Sequence, residues 1–502
     1  MTLATVHSVA LVGLEPVPVR VECASGHGLP GLRLVGLPDA AVREAEDRIR
    51  TAIQRTAGLS WPITKVVANL APADLPKVGT RFDLPLAIAV LVATGQLPAD
   101  GEVWALGEVG LDGSLRPVPG TLPSAAGARD HGARRLLCPK EAAGEAALVA
   151  GLEVVGVADL AEAVAALRGG PVQRARPAPV APRRYTEDVR EVRGQPVARR
   201  ALELAAAGEH HLLLAGPPGC GKTMLARRLP GLLPPLELEA ALEVAAIQSV
   251  AGQREPDASL CLDPPLREPH HTVSGAGLIG GGAGVPRPGE ISLAHRGVLL
   301  LDELLETPRW VLDALREPLE RGEVRITRAR AAVRFPAAVL LVAATNPCPC
   351  GDLGHPSRAC TCRPDRIERY RSRLSGPLLD RIDLQVELRP VGRDQLVAPP
   401  DGEDSATVAA RVSAARSMAA ARWGAGVRSR HATTEQLRAV ARPRALAVLA
   451  GAVEGLGLSA RAFDRCLRVA RTAADLAGDE LVEAAHVEEA LAYRLPAPQV
   501  SA

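Results

Sequence analysis

The stretch HLLLAGPPGCGKTMLARRL constrains this chain more than any other. It contains G-x-x-x-x-G-K-T, with Gly216, Pro217, Pro218, Gly219, Cys220, Gly221, Lys222 and Thr223 making up the motif. An apolar strand pattern, His211–Ala215, runs into it and a helical pattern leaves it, which is the context in which the motif folds as a phosphate-binding loop. In such a loop the backbone N–H groups of a glycine-rich turn point inward, and the helix N-terminus adds the positive end of its dipole. Lys222 then supplies a point charge to the phosphates and Thr223 a hydroxyl to Mg²⁺. Arginine holds nearly every basic position: only Lys65, Lys77, Lys140 and Lys222 are lysines among 59 basic residues. One of these four falls where the motif requires it.

Two further apolar runs complete a nucleotide site. RGVLLLDELLE gives a strand, Val298–Leu301, that ends in Asp302 and Glu303. The carboxyl end of a parallel strand faces the ligand crevice, so Asp302 is expected to hold Mg²⁺ with Thr223, and Glu303 to activate the attacking water. FPAAVLLVAATNP is another buried strand, and it ends at Thr345-Asn346, where the amide of Asn346 can orient that water. The predicted fold class is therefore α/β, with a parallel sheet that carries a P-loop.

A chain of 502 residues suggests about three domains of roughly 150 residues each. The Pro/Arg-rich stretch GGPVQRARPAPVAPRR, residues 169–184, reads as a linker, and RPVGRDQLVAPPDGED, Arg389–Asp404, as a weaker break. They separate a strand-and-helix block (1–168), the nucleotide-binding block (185–388) and a nearly all-helical block (405–502). The net charge of +2 gives no global basic field, so a nucleic-acid site would have to be local. There is no basic, apolar leader at the start and no apolar run of membrane-spanning length. The odd total of 9 cysteines does not read as a secreted disulfide framework, and the expected location is the cytoplasm.

Taken in order, the motifs resemble the AAA+ ATPases, and within them the magnesium-chelatase-like family called YifB or ComM. The segments that carry the resemblance are EVRGQPVARRALELAAAGEHHLLLAGPPGCGKT, HHTVSGAGLIGGGAGVPRPGEISLAHRGVLLLDELLE, NPCPCG, SGPLLDRIDL and, in the first block, VANLAPADLPKVGTRFDLPLAIAVL. The resemblance covers nearly the whole chain. It implies an AAA+ core with an N-terminal Lon/S5-like α+β domain and a C-terminal helical lid. It also implies assembly into a ring, usually a hexamer, with ATP between subunits. SGPLLDRID resembles the segment bearing an arginine finger, which makes Arg381 the residue that reaches a neighbour's γ-phosphate. LSARAFDR resembles the sensor-2 helix, with Arg461 touching the γ-phosphate from the lid. VSGAGLIGGGAGVPRPGE looks like an insert aimed at the ring pore, and ERGEVRITRARAAVRFPA like a hairpin that presents Arg325, Arg328, Arg330 and Arg334. Arginines on such a ribbon suit phosphate-backbone contacts in a channel, although no aromatic residue interleaves them for stacking.

What the resemblance implies about function is ATP hydrolysis coupled to remodelling or translocation of single-stranded or branched DNA, as in ComM-like branch migration, with recombination proteins as partners. Two other readings stay open. One is a magnesium-chelatase-type ATPase subunit; the other is a nucleotide-switched scaffold without motor activity.

The first block resembles the proteolytic domain of Lon-type proteases, which needs a serine nucleophile beside a lysine base. In PKVGTRFDL the matching positions are Thr80, Arg81 and Phe82, and the lysine position falls around Leu122 or Pro123. Ser114 has no lysine near it in its motif, and a serine hydroxyl without a base stays unactivated. This block is expected to be a scaffold. The last feature is NPCPCGDLGHPSRACTC, in which Cys348, Cys350, Cys360 and Cys362 form C-x-C-x9-C-x-C. Four thiolates could close a tetrahedral Zn²⁺ site, with His355 as a substitute ligand, although C-x-C is tighter than the usual spacing. Ordinary reduced thiols and a redox pair are the alternatives. His270 and His271 have no partner at ligand spacing and read as structural or as part of a pore loop.

Overall fold

A computed structural model of the chain describes residues 3–98, 102–183, 185–255, 258–282, 285–328, 331–424, 426–456 and 458–494. The N-terminal block is built on a seven-stranded mixed sheet. Its strand order is Gly31–Val35, Lys65–Ala71, Glu15–Gly26, Leu3–Val12, Trp104–Ala105, Arg135–Pro139 and Glu153–Val157. The long central pair, Leu3–Val12 and Glu15–Gly26, is antiparallel from Leu3↔Ala24 to Val12↔Glu15. Helix Asp83–Ala93, DLPLAIAVLVA, is apolar on every side after its first residue, and a helix of that kind has to be enclosed. Every one of its residues is buried. Its single acid, Asp83, is paired with Arg48 at 2.8 and 2.9 Å.

The nucleotide-binding block is a five-stranded parallel sheet. Across the sheet the strands run Leu266–Arg267, Val298–Leu301, Leu340–Thr345, Leu212–Ala215 and Leu384–Glu387. The three central strands are short, continuous apolar runs, as expected of strands covered on both faces. The topology places the first strand of this block between the fourth and the last. The carboxyl ends of Leu212–Ala215, Leu340–Thr345 and Val298–Leu301 therefore lie side by side, in registers Ala215↔Thr345 and Leu301↔Ala343.

The C-terminal helices include Ser405–Trp423, Pro443–Leu456, Ala460–Ala477 and Ala484–Ala492. They do not form a core of their own. Val412, Leu467, Ala470 and Val487 belong to the same buried cluster as Leu212, Leu214, Val342 and Leu384 of the sheet. Nor does the 169–184 stretch hang free as far as it is described: Arg174 bridges to Val155 and Val180 to Leu260. Helix Thr121–Asp130 of the first block shares a core with Ala241, Ala245 and Leu260 of the second, and Gly120 N–H donates to Ser249 O at 2.9 Å. Among the described residues no helix is long and apolar enough to cross a membrane.

Candidate nucleotide site

The phosphate-loop sequence connects strand Leu212–Ala215 to helix Lys222–Leu232. Gly219 and Gly221 have φ of +80° and +90°, in the left-handed region that a side chain disfavours. Lys222 is buried, and its ammonium donates to Gly216 O at 2.6 Å, Pro217 O at 2.9 Å and Asn346 Oδ1 at 3.0 Å. Burial pulls its pKa below the ordinary lysine value. The Asn346 contact carries the main geometric point, because the strand ends that the sequence nominated converge on one another.

Thr223 Oγ1 donates to Asp302 Oδ2 at 2.5 Å, and Asp302 Oδ1 accepts from Glu303 N–H at 2.8 Å. A hydroxyl and a carboxylate held this close are the hard oxygen donors that Mg²⁺ takes, and ligands about 2.1 Å from one ion sit about 3 Å apart in an octahedron. The pair fits such an ion with a small opening. Glu303 has φ +48°, and its side chain is half exposed. Its Oε2 lies 2.9 Å from His271 Nδ1. The sequence reading set His271 aside as structural or pore-loop, whereas the structure places it on the carboxylate nominated for water activation. His271 follows strand Leu266–Arg267, whose carboxyl end opens on the same crevice; a strand of 2 residues leaves no pattern in the sequence that would mark it.

Other nominated residues lie elsewhere. Arg381 follows the short helix Gly376–Leu379, donates to Pro377 O at 2.7 Å and pairs with Glu320. Arg461 is exposed at the start of helix Ala460–Ala477. Arg381, Arg461 and Arg465 together hold the Glu320 carboxyl below its ordinary pKa, with the Arg381 hydrogen bond as the largest cause. Both arginines thus act on the one carboxylate of Glu320.

The basic segment does form a hairpin, Glu323–Arg328 paired with Ala331–Pro336, with Arg325 opposite Arg334. Val324, Ile326, Val333 and Phe335 point into the core, while Arg325, Arg328 and Arg334 are exposed. Arg325 pairs with Glu323 at 2.5 Å. Arg330 lies outside the described residues.

The four cysteines of the loop that follows strand Leu340–Thr345 converge. Sulfur–sulfur distances are 3.4 Å for Cys348–Cys350 and 3.6 Å for both Cys348–Cys360 and Cys350–Cys360; with Cys362, all four lie within 4.8 Å of one another. Zn–S bonds of about 2.3 Å give a tetrahedron with an edge of about 3.8 Å, so the cluster has the size of a ZnS₄ site. Backbone N–H groups of Asp352 and Thr361 donate to Cys350 and lower its thiol pKa to about 6. His355 is not in the cluster; its Nδ1 accepts from Ser357 N–H at 3.2 Å.

In the N-terminal block the protease positions hold other contacts. Thr80 Oγ1 donates to Glu108 at 2.6 Å, and the Arg81 guanidinium donates to Ser124 Oγ at 3.1 Å and Pro119 O at 2.6 Å. Phe82, Leu122 and Pro123 are buried. Ser114 donates to Asp112 at 2.6 Å, and Lys77 is buried against Pro72 O.

Comparison with known proteins places these features. The family model described as magnesium chelatase, subunit ChlI, matches residues 188–396; that of subunit ChlI of Mg-chelatase matches 21–142; and that of the subunit's C-terminal region matches 402–494. The chain is 44% identical to the uncharacterized protein YifB of Escherichia coli, over 98% of this chain and 97% of that one. It is 42% identical to the competence protein ComM of Haemophilus influenzae, over 98% of each. A shorter likeness, 27% over 89 residues, links it to Lon protease 2 of Bacillus subtilis, covering 18% of this chain and 16% of that one. The chain belongs to the YifB/ComM family of magnesium-chelatase-like AAA+ ATPases.

Proposed function

We propose that this protein is a ring-forming ATPase that spends ATP hydrolysis on remodelling or moving along DNA. The observation that carries the hydrolysis half is the convergence of Lys222, Thr223, Asp302 and Asn346 at the carboxyl edge of one parallel sheet. In this reading the loop N–H groups and Lys222 bind the β- and γ-phosphates, and Thr223 and Asp302 would hold Mg²⁺, which offsets phosphate charge when bound. Glu303 takes a proton from the attacking water, and Asn346 orients that water. Arg381, drawn off Glu320, reaches the γ-phosphate held by the next subunit, where a cation stabilises charge that grows in the transition state. Arg461, at the start of helix Ala460–Ala477, touches the γ-phosphate from the C-terminal helices. The cysteine quartet holds Zn²⁺ as a structural ion.

The DNA half rests on the exposed arginines of the hairpin and on the similarity to a competence protein. Arg328 and Arg334 on a ribbon beside a glycine-rich insert suit a phosphate backbone that passes through a ring of about six copies. The test is steady-state ATP hydrolysis without DNA and with single strands, duplex or a four-way junction. Stimulation by branched or single-stranded DNA, lost in an Arg328→Ala/Arg334→Ala variant, is the expected result. Equal turnover under all four conditions would refute the DNA half and leave the hydrolysis half standing.

A further inference from the structure

We propose that the tetrathiolate zinc site positions the phosphate loop. Through two contacts, the metal-bound cysteine loop sets both the backbone shape of Gly216–Thr223 and the placement of the Asn346 amide. The inference rests on the nucleotide and zinc assignments above and goes beyond them, because it gives the metal a role in the affinity for ATP.

Two observations carry it. The cysteine loop leaves strand Leu340–Thr345 directly: Asn346 accepts from Lys222 Nζ, and Cys348, two residues on, is fully buried in the sulfur cluster. Pinning Cys348 therefore pins the amide. The loop then turns at Gly351, with φ +85°, and lies on the phosphate loop itself: a Cβ built on Gly351 would stand 2.6 Å from Pro218 Cδ and 2.7 Å from Cγ. No side chain other than hydrogen fits between the two loops. Pro218 follows Pro217, whose carbonyl accepts from Lys222 at 2.9 Å, so the Gly351 contact bears on the segment that positions the lysine.

The rest of the loop needs an external staple. Residues 346–363 contain no helix and no strand, and Pro347, Pro349, Pro356, Gly351 and Gly354 interrupt the segment. Beyond the sulfurs and the Lys222–Asn346 bond, its contacts include short turns, an Arg358–Asp352 ion pair at 4.0 Å with Arg358 70% exposed, and Arg371 Nε donating to Pro347 O at 3.2 Å. A segment without a core of its own keeps one geometry only if a cross-link closes it, and a ZnS₄ centre supplies that link at two pairs of points. The ligands bind as thiolates, so each cysteine gives up its proton when the ion enters, and no redox change is involved.

The test uses the full-length protein purified without chelator, together with Cys360→Ser and Gly351→Ala. Cys360→Ser removes one ligand. Gly351→Ala leaves all four sulfurs but pushes a methyl group into Pro218. Metal content is read by plasma mass spectrometry, and ATP affinity by titration of a fluorescent ATP analogue. Expected are close to one zinc per wild-type chain, loss of zinc in Cys360→Ser, and retention of zinc in Gly351→Ala. Both variants should bind the nucleotide on the order of tenfold more weakly, as expected when a supporting contact shifts a site by less than an ångström. The far-ultraviolet circular dichroism spectrum of each variant, matched to wild type, provides the folding control.

Zinc below a tenth of an equivalent in the wild type would overturn the metal site. One equivalent of zinc with wild-type nucleotide affinity in both variants would overturn the positioning role. If the wild type binds no nucleotide, or Lys222→Ala binds as well as wild type, the nucleotide reading fails and the coupling fails with it, while the zinc count still decides the ligand set.

Discussion

Asp383 makes a quantitative test of how the lid is fastened to the sheet. It opens strand Leu384–Glu387, is fully buried, and accepts from the Arg465 guanidinium of lid helix Ala460–Ala477, from His210 Nδ1 at 3.4 Å and from His211 N–H at 3.3 Å. Burial alone would raise its pKa, but the His210 hydrogen bond and the Arg465 charge outweigh burial and hold it well below the ordinary carboxylate value. Asp383→Asn keeps the shape and removes the charge, leaving Arg465 with only 17% of its side chain exposed and short of its counter-ion. Breaking a buried pair in this way costs about 3–5 kcal/mol. The lower end applies here, because Arg465 retains Arg381 O at 2.9 Å. At about 2 °C per kcal/mol for a unit this large, the transition of the ATPase core and lid should fall by about 6 °C.

The assay is thermal unfolding at pH 7 for Asp383→Asn, Arg465→Met and the double variant. Replacing both partners should recover part of the loss, since the apolar Met leaves no unpaired charge. The pH dependence follows from the depressed pKa. The Asp383 contribution is fully present above the unfolded value of about 3.9 and is lost as the pH falls through the lower folded value, so it is flat across pH 5–8. A single variant that melts within about 1 °C of wild type, or strictly additive losses in the double variant, would refute the reasoning.

Glu303→Gln should bind ATP as wild type does and lose hydrolysis by at least about a hundredfold, the scale of a general base; wild-type turnover by a coupled phosphate assay would sink the assignment. His271→Ala frees Glu303 from a pair that is 30% and 50% exposed and worth at most about 1 kcal/mol, so DNA-free turnover should rise by up to about fivefold; an unchanged or lower rate would show that the contact does not restrain the base. Arg381→Ala should abolish turnover while preserving ATP binding, and mixing it with Lys222→Ala subunits should restore activity in mixed rings; no recovery on mixing would argue against a role across subunits. Arg381→Ala also releases Glu320, whose carboxyl pKa should rise from its depressed value toward the ordinary range, which carboxyl NMR can follow.

How far the sequence could be read depended on how locally each feature is encoded. The phosphate loop and the two strands ending at Asp302 and Asn346 are contiguous patterns, and a parallel sheet brings their carboxyl ends together, so their convergence followed from the strands alone. The cysteine quartet was nominated from spacing, but its contact with Pro218 was not visible, because the packing of Gly351 depends on a turn that no periodicity specifies. His271 was missed for a related reason. Its partner Glu303 lies in a different βα unit, and only the order of strands across the sheet places the two at one edge. The lid read as a separate helical block because its helices are amphipathic, and an amphipathic stripe reveals that a face is buried without revealing against what. Here the partner is helix Pro196–Gly208, which itself covers the sheet: Leu467 and Ala470 share a buried cluster with Leu202 and Leu204, and Asp383 carries the charge that fastens the same helix through Arg465. The lid helix is therefore tied to the start of the strand beside the phosphate loop, and Arg465 in turn holds the backbone carbonyl of Arg381. A movement of the lid on nucleotide binding must act on Arg381 through that bond, which is the reason to measure Asp383→Asn for mixed-ring turnover as well as for melting.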